Sequence, residues 1–168
     1  MLYLRNLRHA AQERGMKNVV YFDESGFQEE VARPHGWALK GTKVYGDLSG
    51  SKRRRTNLIM AQRGQEWLAP MVFDFSCNAE VVNSWLEEML LPELTEPSII
   101  VMDNASFHKK DVIRQLLEQH GHMLIPLPPY SPDFNPIEQS FAVLKKRRMF
   151  AQPSTSVGQL VMSDLVLE

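Results

Sequence analysis

The sequence predicts an α/β domain in which a mixed β-sheet is flanked by helices. The first half of the chain holds short β-branched and aromatic runs separated by glycines, as in an antiparallel meander. The second half alternates apolar runs with amphipathic helical patterns, which is typical of parallel strands joined by helices. Its 168 residues suit a single domain with a buried core.

The first half is predicted to form a helix followed by a meander. Residues 2–14 place leucines and alanines at helical spacing, and Gly15 is a plausible stop. The run 19–22 predicts a buried strand that delivers Asp23 and its polar neighbours into a loop. Further strand fragments are expected over 37–45, 58–61 and 67–75.

The second half is predicted to alternate helices with strands. Asn78 is a candidate N-cap for a helix that ends at Pro92. A final helix is expected to begin at Asn135-Pro136, after a rigid proline-rich loop. Between them we expect a strand over 98–102, a helix around 112–117 that closes at Gly121, and a short strand over 123–125. After Arg148 the pattern weakens, and the tail is interpreted as a loosely docked helix.

Composition excludes several classes of protein. Nineteen Lys and Arg against twenty Asp and Glu give a net charge of −1, so total charge does not decide whether nucleic acid is a partner. The single Cys77 cannot form an internal disulfide, which favours a reduced, intracellular protein. No apolar run approaches the ~18–20 residues that span a bilayer, and the first residues lack a signal-peptide pattern. We therefore expect a cytoplasmic protein with no membrane partner.

Three acids stand out by their positions. Asp23 follows the first strand, Asp103 follows the strand over 98–102, and Glu138 begins the last helix. Acids at the carboxyl ends of strands gather where α/β sheets bind ligands, and their oxygens suit Mg²⁺ or Mn²⁺. Two such ions about 3.5–4 Å apart can activate a water or a 3′ hydroxyl for in-line displacement at a phosphodiester. The pattern indicates nuclease or strand-transfer chemistry.

Each acid also has a simpler interpretation. Asp23 can be a turn former, and Asp103 can be a turn residue or a helix cap. Glu138 lies three residues after Asn135, with Pro136 at the first helical position, which is close to a capping box. Spacing alone favours the cap for Glu138.

Five segments of the chain match one family pattern: YFDESGF, RTNLIMAQRG, LAPMVFDFSCN, IIVMDNASFHK and LPPYSPDFNPIEQSFAVLK. In this order, they resemble the catalytic (DDE) domain of bacterial insertion-sequence transposases of the mariner superfamily. The family separates its second aspartate and its glutamate by thirty-four residues, and residues 104–137, thirty-four in all, lie between Asp103 and Glu138. The resemblance implies an RNase H-like fold in which Asp23, Asp103 and Glu138 form a catalytic, metal-binding triad for two Mg²⁺ or Mn²⁺ ions.

The same resemblance divides the chain and adds residues around the triad. It implies a catalytic domain over 18–150, a helix or linker over 1–17 and a divergent tail over 151–168. Asn104 and His108 match a DN-x-x-x-H segment that lies near the metals and positions DNA or water, with surface capping and an exposed histidine as the alternative. Glu24 and Asn135 adjoin the acids, and Tyr130 is a candidate DNA contact. Two basic clusters are candidates for phosphate contact: Lys52, Arg53, Arg54 and Arg55, and, on the helix of Glu138, Lys145, Lys146, Arg147 and Arg148.

The leading hypothesis is a transposase domain that cuts DNA at the end of an element and joins the freed 3′ hydroxyl to target DNA. The resemblance implies double-stranded DNA as the partner, a TA target and a homodimer in the synaptic complex. The resemblance implies helix-turn-helix modules before the catalytic domain in full-length members of the family, whereas fewer than twenty residues precede the first strand here. We therefore expect a separate helix-turn-helix segment to recognise the ends, and a chain that is a catalytic piece of a split, frameshifted or degraded element. Bound to DNA, it would be associated with the nucleoid.

Two other functions stay open at this point. One is a catalytically inactive, truncated remnant that binds DNA or a full-length partner. The other is an RNase H-like nuclease acting on RNA–DNA hybrids or junctions. Divalent-dependent strand cleavage separates the enzyme from the remnant, and a comparison of substrates separates the two nucleases.

Overall fold

The computed structural model describes residues 2–28, 39–41, 55–105, 108–129, 131–152 and 154–165. Within these residues, a mixed five-stranded sheet has the spatial order β3-β2-β1-β4-β5. The first three strands pair antiparallel, and β4 and β5 add in parallel to β1. The strands are β1 (Val19–Gln28), β2 (Arg55–Arg63), β3 (Glu66–Phe73), β4 (Ile99–Met102) and β5 (Met123–Pro126). The predicted mixed sheet, a meander followed by two parallel strands, is confirmed.

Helices cover both faces of this sheet. The predicted N-cap of the helix over Ala79–Trp85 (α2) is confirmed, because the side chain of Asn78 accepts a hydrogen bond from the N–H of Val81 at 3.0 Å. A π-helical turn over Leu86–Leu90 continues α2 into α3. The helices are α1 (Leu2–Arg14), α2 (Ala79–Trp85), α3 (Leu91–Glu93), α4 (Lys110–Gln119), α5 (Ile137–Phe150) and α6 (Val157–Leu165).

Strand β1 extends further than the sequence predicts. A loop was expected from Asp23 onwards, but the ladder with β2 continues from Tyr21 to Gln28. The partner strand supplies the hydrogen bonds that these backbone groups need, so the polar residues stay extended. The interpretation of Asp23 as a turn former is therefore wrong. Of the strand expected over 37–45, only 39–41 are described, with a turn at Lys40 and Gly41.

Two apolar layers hold the sheet. On one face, α2, α3 and α4 bury a cluster that includes Phe22 and Trp85. On the other face, α5 and α6 cover Phe27 and Met60, while α1 packs over the neighbouring part of the sheet. Tyr21 contacts the clusters of both α5 and α1. No helix in the described part of the chain is long and apolar enough to cross a membrane.

The alternation of side chains along β1 decides where its two acids point. Successive residues of a strand face opposite sides of the sheet. Asp23 therefore shares the α5 face with Tyr21 and Phe27, and Glu24 shares the α4 face with Phe22. The two adjacent acids belong to different surroundings.

Candidate active site

The candidate site lies where β1 continues beyond the end of β4. The two strands pair in parallel from Val19 with Ile99 to Tyr21 with Val101. Continuing this register by two residues sets Asp103, the first residue after β4, beside Asp23. Neighbouring strands lie about 4.8 Å apart. The fold thus brings the first two predicted acids to one point of the sheet.

Two donors hold the carboxylate of Asp23. Its Oδ1 accepts a hydrogen bond from the backbone N–H of Glu24 at 2.7 Å, and its Oδ2 accepts one from Nδ2 of Asn135 at 3.0 Å. Burial raises the pKa of Asp23 to about 7, and three nearby carboxylates act in the same direction: Glu24, Asp103 and Glu138. A buried carboxyl among like charges is stabilised by a cation.

A histidine links two carboxylates on the α4 side. Nε2 of His108 lies 3.3 Å from Oδ1 of Asp103 and 3.5 Å from Oε1 of Glu24. The side chain of His108 is only 1% exposed, and its ring meets the ring of Phe22 edge-on. Burial opposes protonation, but the hydrogen bonds to Asp103 and Glu24 outweigh it and raise the pKa of His108 to about 9. The alternative of an exposed histidine is therefore wrong, and position 108 carries a buried imidazolium at neutral pH.

Asp103 has the opposite electrostatic character from Asp23. Burial raises its pKa, but hydrogen bonds from His108 and from the N–H of Ala105 outweigh burial, so the pKa of Asp103 is lowered. The Ala105 contact, at 3.0 Å, is also the turn that the sequence suggested. Asp103 is ionised at neutral pH, whereas Asp23 titrates near neutrality.

Glu138 lies in the first turn of α5. The helix begins at Ile137 with no side-chain cap from the described residues, and the side chain of Asn135 turns to Asp23 instead. In a capping box the side chain of Asn135 would accept the N–H of Glu138, but its Oδ1 accepts no hydrogen bond from the described residues, and that N–H goes to the backbone carbonyl of Asn135. The interpretation of Glu138 as a capping-box residue is therefore wrong.

The donors at this site fit a hard divalent cation in type. Carboxylate oxygens are the ligands that Mg²⁺ and Mn²⁺ prefer. Within the described residues, however, no three His, Cys, Asp or Glu side chains lie close enough together to hold one ion. Carboxylates repel one another, and Asp103 is drawn towards His108. Closing a metal site here requires the acids to converge further.

Asn104 organises the loops beside the site. Its Nδ2 donates a hydrogen bond to the backbone carbonyl of Leu127, which follows β5, and its Oδ1 accepts a hydrogen bond from Nζ of Lys110. Lys110, whose charge also lowers the pKa of Asp103, is a site residue that the sequence pattern did not indicate. The available signal was the pair of lysines that directly follows His108.

Five of the nine predicted DNA contacts are among the residues described. The guanidinium of Arg55 lies against Gly26, where it occupies the space that a Cβ would need. The other four described residues belong to α5 and are treated below. Outside the described residues lie Lys52, Arg53, Arg54 and Tyr130.

The four cations of α5 have different surroundings. Lys145 and Lys146 are exposed. Arg147 forms an ion pair with Asp164 of α6, and Arg148 is buried. The cluster is therefore divided between the surface and the packing of α5 against α6.

A family model described as DDE superfamily endonuclease matches residues 18–161. No curated protein sequence matches the chain.

Solved structures of the Mos1 transposase share the fold. The Mos1 mariner paired end complex with Mn aligns with a TM-score of 0.71 and 18% identity over 98% of this chain and 52% of that chain. The Mos1 strand transfer complex aligns with a TM-score of 0.70 and 18% identity, over 98% of this chain and 50% of that chain. The catalytic domain of Mos1 mariner transposase aligns with a TM-score of 0.61 and 16% identity, over 98% of this chain and 76% of that chain. The chain thus spans about half the length of the proteins in the first two structures, and the likeness confirms the RNase H-like fold.

Proposed function

Because the chain belongs to the DDE superfamily endonuclease family, we propose that it is the catalytic domain of a DNA transposase. In this proposal Asp23, Asp103 and Glu138 are the catalytic acids. The domain hydrolyses a DNA phosphodiester at the end of an element, and the freed 3′ hydroxyl then attacks a phosphodiester of target DNA, which joins the two strands and releases a 3′ hydroxyl of the target.

One electrostatic observation carries this assignment. The charges of Asp103 and Glu138 both raise the pKa of Asp23, although the three acids come from distant parts of the sequence. Carboxylates that raise one another's pKa in this way are typical of functional sites, because there they lie close together despite their mutual repulsion.

We further propose that the three carboxylates hold two Mg²⁺ or Mn²⁺ ions. When bound, such ions supply the charge that activates the attacking water or hydroxyl and stabilises the leaving oxygen. The ligand type and the Mos1 paired end complexes with Mn and with Mg support the use of a divalent metal.

The surrounding residues prepare the acids for this role. Two donors orient Asp23, and the positive charge of His108 offsets Asp103 and Glu24. Asp103 stays ionised, whereas Asp23, with a pKa of about 7, gives up its proton before it binds a cation. The site therefore binds metal more tightly as the pH rises through neutrality.

Double-stranded DNA is the proposed substrate, and α5 is the proposed contact. Lys145 and Lys146 follow Glu138 on this helix, seven and eight residues later, which corresponds to about 10–12 Å along the axis. That distance spans about three nucleotide rises of one DNA strand. The paired end and strand transfer complexes of Mos1 support DNA as the partner. We also propose that the chain acts as a dimer and that a separate helix-turn-helix segment recognises the DNA ends.

A plasmid-nicking assay tests the proposed activity without knowledge of the element's ends. We expect the chain to convert supercoiled DNA to open circles with Mn²⁺ or Mg²⁺, and not in EDTA. Asp23→Asn, Asp103→Asn and Glu138→Gln should each lower the rate by about 100-fold or more. The control is Glu118→Gln, which changes an exposed acid towards the end of α4. Equal nicking by all variants contradicts the assignment, and a chain that binds metal without nicking DNA is the inactive remnant.

A further inference from the structure

We propose that Asn135 is a positioning residue for the metal site. Its side chain orients the carboxylate of Asp23, and its backbone fixes the start of the helix that carries Glu138. The inference rests on the proposed function for the identity of the bound cation. The contacts on which it depends belong to the chain itself.

Asn135 contacts parts of two predicted acids at once. Its Nδ2 donates to Oδ2 of Asp23 at 3.0 Å, across 112 positions of sequence. Its carbonyl oxygen accepts the backbone N–H of Glu138 at 3.2 Å. The residue is only 3% exposed. Asn135 therefore sets the first turn of α5 in register with the middle of β1.

The orientation of this amide does not serve helix stability. An asparagine before a proline is well placed to cap the helix, yet this side chain points away from the first turn of α5. Its Oδ1 is buried and accepts no hydrogen bond from the residues that the structure describes. Buried polar atoms without partners are uncommon and call for an explanation. Orienting the neighbouring carboxylate supplies one.

The two donors on Asp23 restrict how the carboxylate presents itself to a cation. Each carboxylate oxygen accepts about two hydrogen bonds or ligand bonds. The N–H of Glu24 occupies one direction on Oδ1, and Asn135 occupies one on Oδ2. Rotation of the carboxylate is blocked, and each oxygen retains a direction for metal. Partners of this kind typically contribute about 10- to 100-fold to metal affinity.

The chain offers a matched control for the structural part of this role. Oγ of Ser140 donates to Oε1 of Gln62 at 2.8 Å, so a second polar bond attaches α5 to the sheet. This bond is five residues further along the helix and involves none of the three acids. Ser140→Ala therefore measures what a lost bond between α5 and the sheet does by itself.

The first test is a titration with Mn²⁺ of the wild-type chain, Asn135→Ala and Ser140→Ala. We expect Asn135→Ala to weaken Mn²⁺ binding by about 10- to 100-fold and Ser140→Ala by less than about threefold. Thermal unfolding in EDTA shows whether both variants fold. Unchanged affinity in Asn135→Ala, or an equal loss in Ser140→Ala, overturns the proposal.

The second test needs no metal. A double-mutant cycle in EDTA compares Asn135→Ala in the wild-type background and in the Asp23→Ala background by urea unfolding. We expect Asn135→Ala to lower the folding equilibrium constant by about tenfold in the first background and by much less in the second. Equal losses in both overturn the proposal. If the wild type binds no Mn²⁺, the proposed function fails, and the inference about Asn135 then stands or falls on this cycle alone.

Discussion

Asp23 and His108 are two buried groups that both hold their protons more tightly in the folded chain. Burial among carboxylates raises the pKa of Asp23 to about 7. Hydrogen bonds to two carboxylates outweigh burial and raise the pKa of His108 to about 9. Folding therefore disfavours the negative charge of Asp23 and favours the positive charge of His108.

We predict that the metal-free chain loses stability as the pH rises from about 4 to about 9. Both pKa values are raised on folding, so these two groups bind more protons in the folded chain than in the unfolded chain in this window. His122, whose pKa is lowered by burial, acts in the opposite direction. The contribution of Asp23 is lost between its ordinary pKa of 3.8 and about 7, since Glu24, Asp103 and Glu138 face it. The contribution of His108 is lost between 6.5 and about 9, as the charge that offsets Glu24 and Asp103 disappears.

Urea unfolding in EDTA at several pH values checks this prediction. Asp23→Asn should flatten the dependence below about pH 7, and His108→Gln should flatten it above that pH. A wild-type chain that becomes more stable between about pH 5 and 9 contradicts the electrostatic account of these two residues.

At the scale of elements, α5 combines two tasks that its sequence does not separate. Lys145 and Lys146 are exposed, and Nζ of Lys145 lies 5.8 Å from the ring centroid of Phe27. Arg147, by contrast, pairs with Asp164 and attaches α6. The four adjacent cations therefore differ in what they can offer to DNA.

We predict that Lys146→Ala and Arg147→Ala have different effects. Lys146→Ala should reduce the slope of log affinity against log salt concentration by about 0.9, as expected for one lost phosphate contact. Arg147→Ala should leave that slope nearly unchanged and lower the free energy of unfolding by up to about 1 kcal/mol, since its ion pair is partly exposed. Fluorescence anisotropy with a DNA duplex at several salt concentrations measures the slopes. An equal reduction in both variants would show that Arg147 leaves Asp164 to bind DNA.

The elements that the sequence predicted well are those with local patterns. The apolar stripe of α5 and the continuous apolar run of β4 are read from neighbouring residues, and both are confirmed. The extension of β1 was missed because its hydrogen-bond partner, β2, begins 27 residues after β1 ends. The expected cap at Asn135 is wrong for the same reason, because its side chain donates to Asp23, which is 112 positions away. The convergence of the acids followed from the family resemblance, whereas their different electrostatic characters required the structure.

At the scale of the whole molecule, the apolar core is separate from the acids. Phe22 and Trp85 anchor the layer on one face, and Phe27, Met60 and Phe141 anchor the layer on the other. Asp23 lies within β1, Asp103 follows β4, and Glu138 is exposed in the first turn of α5. The fold therefore does not depend on the acids for its core, and conservative variants of them should fold.

The chain corresponds to only part of the proteins whose fold it shares. It spans about half the length of the Mos1 proteins in the paired end and strand transfer complexes. The sheet and its helices supply the acids and the cations of α5. The proposal therefore assigns the chemistry to this domain and the recognition of DNA ends to a separate segment.

Anomalous diffraction from crystals soaked in Mn²⁺ tests the central claim most directly. The account predicts anomalous density among Asp23, Asp103 and Glu138 in the wild-type chain and its loss in Asp103→Asn. Density at full strength in Asp103→Asn, or a wild-type chain with no Mn²⁺ among the three acids, would contradict the claim that they form one metal centre.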